Sequence, residues 1–321
     1  MPNMNVGGQA VIEGVMMRSN DRVSTAVRIP SGEILVKTED YVSLSKRFKI
    51  LGWPVLRGVI TFFEMLVIGV KTLNLSADIA VKEVEKEEAA AKGKEYTPRE
   101  KRQTNIALIG TVVFALALGI LIFFFTPIAV ASLIGIERDA VMFNLVAGVV
   151  RIALFLAYVW LISLFGEFKK VFQYHGAEHK SIYAYENGDE LTTENVSKYT
   201  TLHPRCGTSF ILIVALFAIF IYSFSDSVFY VVMGYPPALL TRFAMHFSLL
   251  PLVAGGSYEL LKLSGKTRDN AVTKFLIKPG LWLQRITTKE PSPEQMEVAI
   301  VALESALGIK ESRISVNKTC L

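Results

Sequence analysis

Four apolar stretches constrain this chain more than any other feature: residues 105–130, 141–165, 209–224 (continuing in character to 230) and 238–261. Each approaches the ~20 helical residues needed to cross a hydrocarbon core of ~30 Å. They explain a hydrophobic content of 51% and a mean hydropathy of +0.40 over 321 residues, more apolar than a soluble chain of this length. The sequence therefore predicts a predominantly α-helical integral membrane protein with four transmembrane helices, paired as 104–165 and 208–263. Residues 1–9 have neither a basic start nor an apolar core, so no cleavable signal peptide is expected. Two cysteines, Cys206 and Cys320, do not make a disulfide framework.

A net charge of +5 would suit a nucleic-acid partner, but none is expected. The Lys and Arg cluster beside the apolar stretches, where they set orientation and attract anionic lipid. Residues 135–140 carry one Arg and residues 225–237 carry no Lys or Arg at all. Lys101-Arg102, 169–205 and 262–289 are rich in both. The positive-inside rule places both termini and the 166–207 loop in the cytoplasm.

Residues 1–50 read as a small cytoplasmic β-rich element. Residues 22–29 and 33–39 are strand-like, joined by the turn Pro30-Ser31-Gly32. Residues 10–17 are apolar on both alternating faces apart from Glu13, which predicts one strand buried on both sides. In residues 51–81, Arg57, Glu64, Lys71 and Asp78 recur every seven residues and line one polar stripe of a helix. Basic residues stand at both ends: Lys46, Arg47 and Lys49 before, Lys82 and Lys86 after. The expectation is an amphipathic or re-entrant helix that does not cross, with an ordinary transmembrane helix as the alternative. A charged linker, 82–103, reads as a solvated helix ending near Thr97-Pro98. The tail, 264–321, contains one capped helix. Ser292, Pro293 and Gln295 make its capping box and Gly308 its stop. Met296, Ile300, Leu303 and Leu307 share a face that needs a partner, in the N-terminal strands or in the 166–207 loop.

The chemistry concentrates in that loop. Three of the four histidines and one of the two cysteines lie in Tyr174-His175-Gly176-Ala177-Glu178-His179 and His203-Pro204-Arg205-Cys206. Residues 167–186 read as a helix stopped at Asn187-Gly188. His175 and His179 are then one turn apart on one face, with Glu178 on its shoulder. Two imidazoles so spaced can hold one divalent ion, zinc being the expected one, while the carboxylate takes a proton from water. The pattern H-x-x-E-H is that of inverted zinc peptidases. The same face carries Phe172 and Ile182, so ordinary buried histidines are the alternative. His203, made rigid by Pro204, and Cys206 three residues on can close on the same ion as a turn. If all four bind, the site is closed and structural. If three bind, a position stays open and Glu178 can act as general base.

Glu13 is a second catalytic candidate, because a carboxylate in an apolar strand is costly unless paired or metal-bound. An ion pair with Arg18 or Arg22 is the alternative. Inside the membrane, Arg151 lies near the middle of the second stretch with Asn144 seven residues before it. Arg242 and His246 are adjacent on the fourth, and Glu64 is a candidate partner for Arg151. These suggest a polar pathway or a headgroup pocket, with packing and snorkelling as the alternative. Glu259 falls near the inner end of the fourth stretch.

Several segments together resemble a bacterial membrane-protein family of unassigned function, the YqhQ-like family, whose members are described as predicted metal-dependent enzymes. They are Gly7-Gly8-Gln9-Ala10-Val11-Ile12-Glu13-Gly14-Val15-Met16-Met17-Arg18, the run Tyr174 to Lys180, His203-Pro204-Arg205-Cys206-Gly207-Thr208-Ser209-Phe210, Ser257-Tyr258-Glu259, and Pro279-Gly280-Leu281-Trp282-Leu283-Gln284 through Thr287-Thr288-Lys289-Glu290-Pro291. The resemblance covers nearly the whole chain. It implies a multi-pass protein of the bacterial cytoplasmic membrane. The expected function is a metal-dependent hydrolase at the cytoplasmic face, acting on a lipid headgroup or a peptide. The alternative is a non-catalytic scaffold or membrane-protein biogenesis factor with a structural metal or none. Expected partners are membrane lipids, other membrane proteins and a second copy of the chain.

Overall fold

Period-two alternation builds the first element. β1 (Gly7–Val11), β2 (Gly14–Arg18), β3 (Arg22–Arg28) and β4 (Ile34–Asp40) form one antiparallel sheet in the order β1-β2-β3-β4. The structure is a computed structural model that describes residues 6–93, 101–204, 206–266 and 270–309. Residues 10–17 are two strands rather than one. Val11 pairs with Gly14, so Ile12 and Glu13 make a tight turn, with Glu13 at a left-handed φ of 50°. Gly14 is needed there, because a Cβ would strike the carbonyl oxygen of Ala26. Glu13 thus sits on a turn and not within an apolar strand. The expectation of burial on both faces holds for β2, whose Val15 and Met17 join one core while Met16 joins another.

After the sheet come α1 (Leu44–Arg47), a short tight turn (Lys49–Gly52) and α2 (Leu56–Ala91). The charged stretch continues α2 through Ala91, and its expected end near Thr97-Pro98 lies outside the described residues. The polar stripe of α2 is engaged by neighbouring elements. Arg57 forms a two-pronged ion pair with Glu259, its Nε donating at 2.7 Å. Glu64 accepts from Ser43 Oγ at 2.8 Å and from the Leu44 N–H at 2.6 Å, so it does not pair with Arg151. Lys71 pairs with Glu39 at 2.6 Å.

The first apolar stretch is α3 (Lys101–Ile120), a wide turn (Leu121–Phe125) and α4 (Thr126–Leu133). The widening has a cause. Pro127 has no N–H for the carbonyl of Phe123. The second stretch is α5 (Ala140–Ile162), and α6 (Gly166–Asn187) and α7 (Thr193–Ser197) follow. The third, α8 (Gly207–Met233), runs well past residue 224. The fourth is not straight: α9 (Leu239–Ser248) and α10 (Leu250–Lys266) meet at a 47° bend. Pro251 cannot donate to Phe247, which is why the helix breaks there. By length and composition, the spans 56–86, 110–133, 140–162 and 213–233 can each cross a membrane, and the bent pair passes the same test together.

The tail holds two helices where one was expected, α11 (Ala271–Thr287) and α12 (Pro293–Leu307). Pro279 inside α11 disguises it as a break in the sequence pattern. α12 has the anticipated capping box and ends at Gly308, φ 70°. Met296, Ile300 and Leu303 pack against Val15, Met17 and Ala26 of the sheet and Ala177 and Ile182 of α6. The opposite sheet face, with Val11, Met16, Val23 and Val27, packs on Met65, Ile68 and Ile79 of α2. The sheet is therefore the middle of three layers: α2, the sheet, and α6 with α12.

Gly255 joins this body to the membrane helices, since a Cβ there would strike the carbonyl oxygen of Val55. Gly255→Val should lower the apparent Tm in detergent by several degrees, a loss of ~1–3 kcal/mol. Gly119→Ala, where nothing lies within 4 Å, should leave the melt unchanged. Equal melts for the two would refute this packing.

Candidate metal centre

The site begins with one turn of α6. His175 and His179 have ring centroids 4.4 Å apart. His175 Nδ1 donates to the Thr287 carbonyl at 2.8 Å, and His179 Nδ1 to the Thr201 carbonyl at 2.5 Å. A carbonyl oxygen can only accept. In each neutral ring the proton therefore sits on Nδ1, and Nε2 presents its lone pair. His175 Nε2 lies 3.3 Å from Cys206 Sγ. His179 Nε2 is buried without a hydrogen-bond partner. Cys206 Sγ is near enough to favour charge on the His179 ring, but offers it no hydrogen bond of good geometry. Burial outweighs that and holds the His179 imidazole below its usual pKa, hence neutral. The ligand atoms of His175, His179 and Cys206 all lie within 4.8 Å of one another, so the trio could hold a metal ion. A tetrahedral ion with bonds of ~2.0–2.3 Å needs donors roughly 3.5 Å apart, a modest contraction of this set.

Three local devices hold the trio. Gly176 lets the 287–290 backbone lie against α6, since a Cβ would strike the Lys289 carbonyl oxygen. The Lys289 N–H then donates to the Phe172 carbonyl at 2.9 Å, and Lys180, 3% exposed, pairs with Glu290. Gln284, fully buried, clamps the chain at residue 203. Its Oε1 accepts from the His203 N–H at 2.7 Å and its Nε2 donates to the His203 carbonyl at 2.9 Å. Cys206 is the N-cap of α8, where the Thr208 N–H approaches Sγ at 3.5 Å. A helix N-terminus suits the negative charge of a metal-bound sulfur.

The other sequence-predicted residues fall around this trio. His203 does not converge with it. Its ring packs on Tyr183 at 4.6 Å, with Nε2 3.7 Å from a Glu186 carboxylate oxygen. Its ring centroid is 5.6 Å from that of His179. Glu178 also lies outside the converging set and turns toward β1, where the Gly8 N–H donates to it and a Cβ at position 8 would crowd it. Burial raises its carboxyl above the usual range, partly opposed by His175, His203 and that N–H. Its Oε2 has no hydrogen-bond partner. Glu13 is not paired with Arg18 or Arg22: Lys170 donates to it at 2.9 Å and the Tyr174 hydroxyl at 3.5 Å, away from the trio. Glu13 joins the sheet to α6.

A second polar cluster occupies the other end of α8. Asp226, 1% exposed, accepts from Asn144 Nδ2 at 2.8 Å, pairs with Arg242 at 3.0 Å and contacts His246 Nε2 at 2.9 Å. Arg242 lies over the Phe143 ring at 3.6 Å, and His246 stacks on Tyr222 at 4.1 Å. Arg151 donates from Nε to the Phe123 carbonyl at 3.0 Å, the one that Pro127 leaves free. Asn144, Arg242 and His246 were legible as polar residues in apolar stretches, but Asp226 was not, because it falls where the third stretch turns polar. An acid within a run that continues for seven more helical residues was the available signal. Asp226 lies twenty residues from Cys206, about 30 Å along a helix.

These features define a class: a polytopic helical membrane protein with a small sheet-and-helix body and a histidine–cysteine cluster at the start of one apolar helix. The profile of a family described as protein of unknown function (DUF1385) matches residues 53–309. The uncharacterized protein YqhQ of Bacillus subtilis (strain 168) is 33% identical over 313 residues, covering 95% of this chain and 92% of that protein. The chain belongs to this family. No solved structure matches it.

Asp226→Ala should cost ~3–5 kcal/mol by leaving Arg242 buried and unpaired. The double substitution Asp226→Leu with Arg242→Met should cost less than the single one, read as thermal melts in one detergent. A double variant that melts lower than Asp226→Ala would contradict the pairing.

Proposed function

We propose that this chain is a metal-dependent protein of the bacterial cytoplasmic membrane that works as a hydrolase at the cytoplasmic face. The distribution of Lys and Arg supports an orientation with both termini and α6 inside. One observation carries the metal reading. His179 Nε2 is buried, neutral and unpartnered, while Nδ1 is fixed by a backbone carbonyl. An orphaned buried nitrogen is costly. Metal-ligating histidines commonly have their other nitrogen held this way. Two imidazoles and one thiol suit a zinc-like ion and leave a fourth tetrahedral position for substrate or water.

When bound, such an ion would act as a Lewis acid and lower the pKa of water. The chain's own residues supply the rest. His175, partly exposed, lines the approach to the trio. Glu178, whose carboxyl burial raises above its usual range, would accept a proton as carboxylate and return it to the leaving group. Lipid headgroups and peptides are the substrate classes that can reach the membrane mouth of α8.

Metal analysis of protein purified in mild detergent tests this. Wild type and His203→Ala should carry about one zinc per chain, His175→Ala and His179→Ala almost none, and Cys206→Ala a reduced amount. Glu178→Gln should keep its metal and lose on the order of a hundredfold in hydrolysis of phospholipid and peptide substrates. Metal-free wild type would sink the reading.

A second reading is supported by burial. His179 is 1% exposed and Cys206 is 7% exposed, as in a structural site. The chain is then a scaffold or membrane-protein biogenesis factor that the ion holds together. Under that reading chelation lowers the Tm, while Glu178→Gln leaves cellular function intact.

A further inference from the structure

Hydropathy ranks α2 with the helices able to span a bilayer. Chain order and packing oppose a crossing. The sheet precedes α2, and it packs directly on α6: Gly8 meets Glu178, and Lys170 donates to Glu13 at 2.9 Å. The sheet and α6 are therefore on one side of the membrane. Between the end of α2 and the start of α6 the chain passes through two apolar spans, α3–α4 and α5. Two crossings return a chain to the side it left. The end of α2 is thus on the side of α6, and its beginning is on the side of the sheet, which is the same side.

We propose that residues 44–91 form a re-entrant element seated in the leaflet nearest the metal centre, with the lipid bilayer as occupant of its outer face. One face of α2 carries the sheet: Ser76 Oγ accepts from the Ile12 N–H at 3.1 Å, and Gly69 lies against the Gln9 side chain. A helix sheathed in lipid over those turns could not also carry a soluble sheet. The opposite face exposes Phe62, Phe63, Leu66, Val67, Val70 and Leu73, more apolar surface than a helix keeps in water. The sheet-bearing face meets the membrane helices at the start of α2, where Gly58 lies against Gly255 of α10, so the helix begins beside the spans with its apolar face turned outward. The approach to α2 suits a headgroup boundary. Phe48, Ile50 and Trp53 are exposed beside Lys46, Arg47 and Lys49. The reversal falls at Val55, a β-branched residue at φ 66° whose N–H donates to Glu259 at 3.4 Å. The Arg57–Glu259 pair leaves neither charge alone at that depth.

Site-directed labelling of the full chain in native membranes tests the path. In a Cys320→Ser background with the buried Cys206 retained, single cysteines replace Ser31, in the β3–β4 turn, and Lys92, beyond α2. A membrane-impermeant maleimide is applied to spheroplasts and to inverted vesicles. Both positions should label in the same preparation. Labelling in opposite preparations would overturn the proposal. A nitroxide at Val67→Cys should then collide severalfold more with oxygen than with a nickel chelate. Preference for the chelate, or shielding from both by another protein, would also overturn it.

Discussion

The 287–290 backbone lies so close to α6 that residue 176 has no room for a side chain. Most of the extramembrane half follows from that contact. It brings the Thr287 carbonyl to His175 Nδ1 and the Lys289 N–H to the Phe172 carbonyl. It also sets Glu290 over the buried Lys180. Gln284, one turn earlier on α11, reaches across to hold both backbone groups of residue 203. The ring of His175 and the start of α8 are thus fixed by the same short stretch of tail. A side-chain hydrogen bond is easily lost to substitution, but a backbone carbonyl supplied by chain path is not.

The membrane half follows a different rule. Charge there is tolerated only where it is matched. Asp226 collects an amide, a guanidinium and an imidazole from α5 and α9. Arg151 finds the carbonyl that Pro127 cannot use. The bend between α9 and α10 follows directly after His246, so the helix break and the polar cluster occupy one region. The two polar centres of the protein, this one and the histidine–cysteine trio, stand at opposite ends of α8.

Much of this was legible in the sequence, because the signals were local. The capping box of α12, the stop of α6 at Gly188 and the apolar stretches all came from spacing and composition. The first hairpin was hidden because residues 10–17 are apolar on both faces, so the run continues through the two-residue turn at Ile12 and Glu13. Interior prolines misled in two ways, by concealing α11 and by breaking the fourth stretch. In the trio, the spacing of His175 and His179 on one helix was readable. The relative placement of His203 and Cys206 was not. It depends on Gln284, eighty-one residues from His203 in sequence, and no local pattern reports such a clamp. Glu178 was readable as an acid beside the histidines, but its turn toward Gly8 is a tertiary fact.

Cys206 is both a donor of the trio and the N-cap of the apolar helix α8, while His175 and His179 belong to the body built on the sheet. An ion shared among them would rivet the two halves of the molecule at one point. Forces transmitted along α8 from the lipid would then be felt at the coordination sphere. Occupancy would in turn stiffen the joint between bilayer and body.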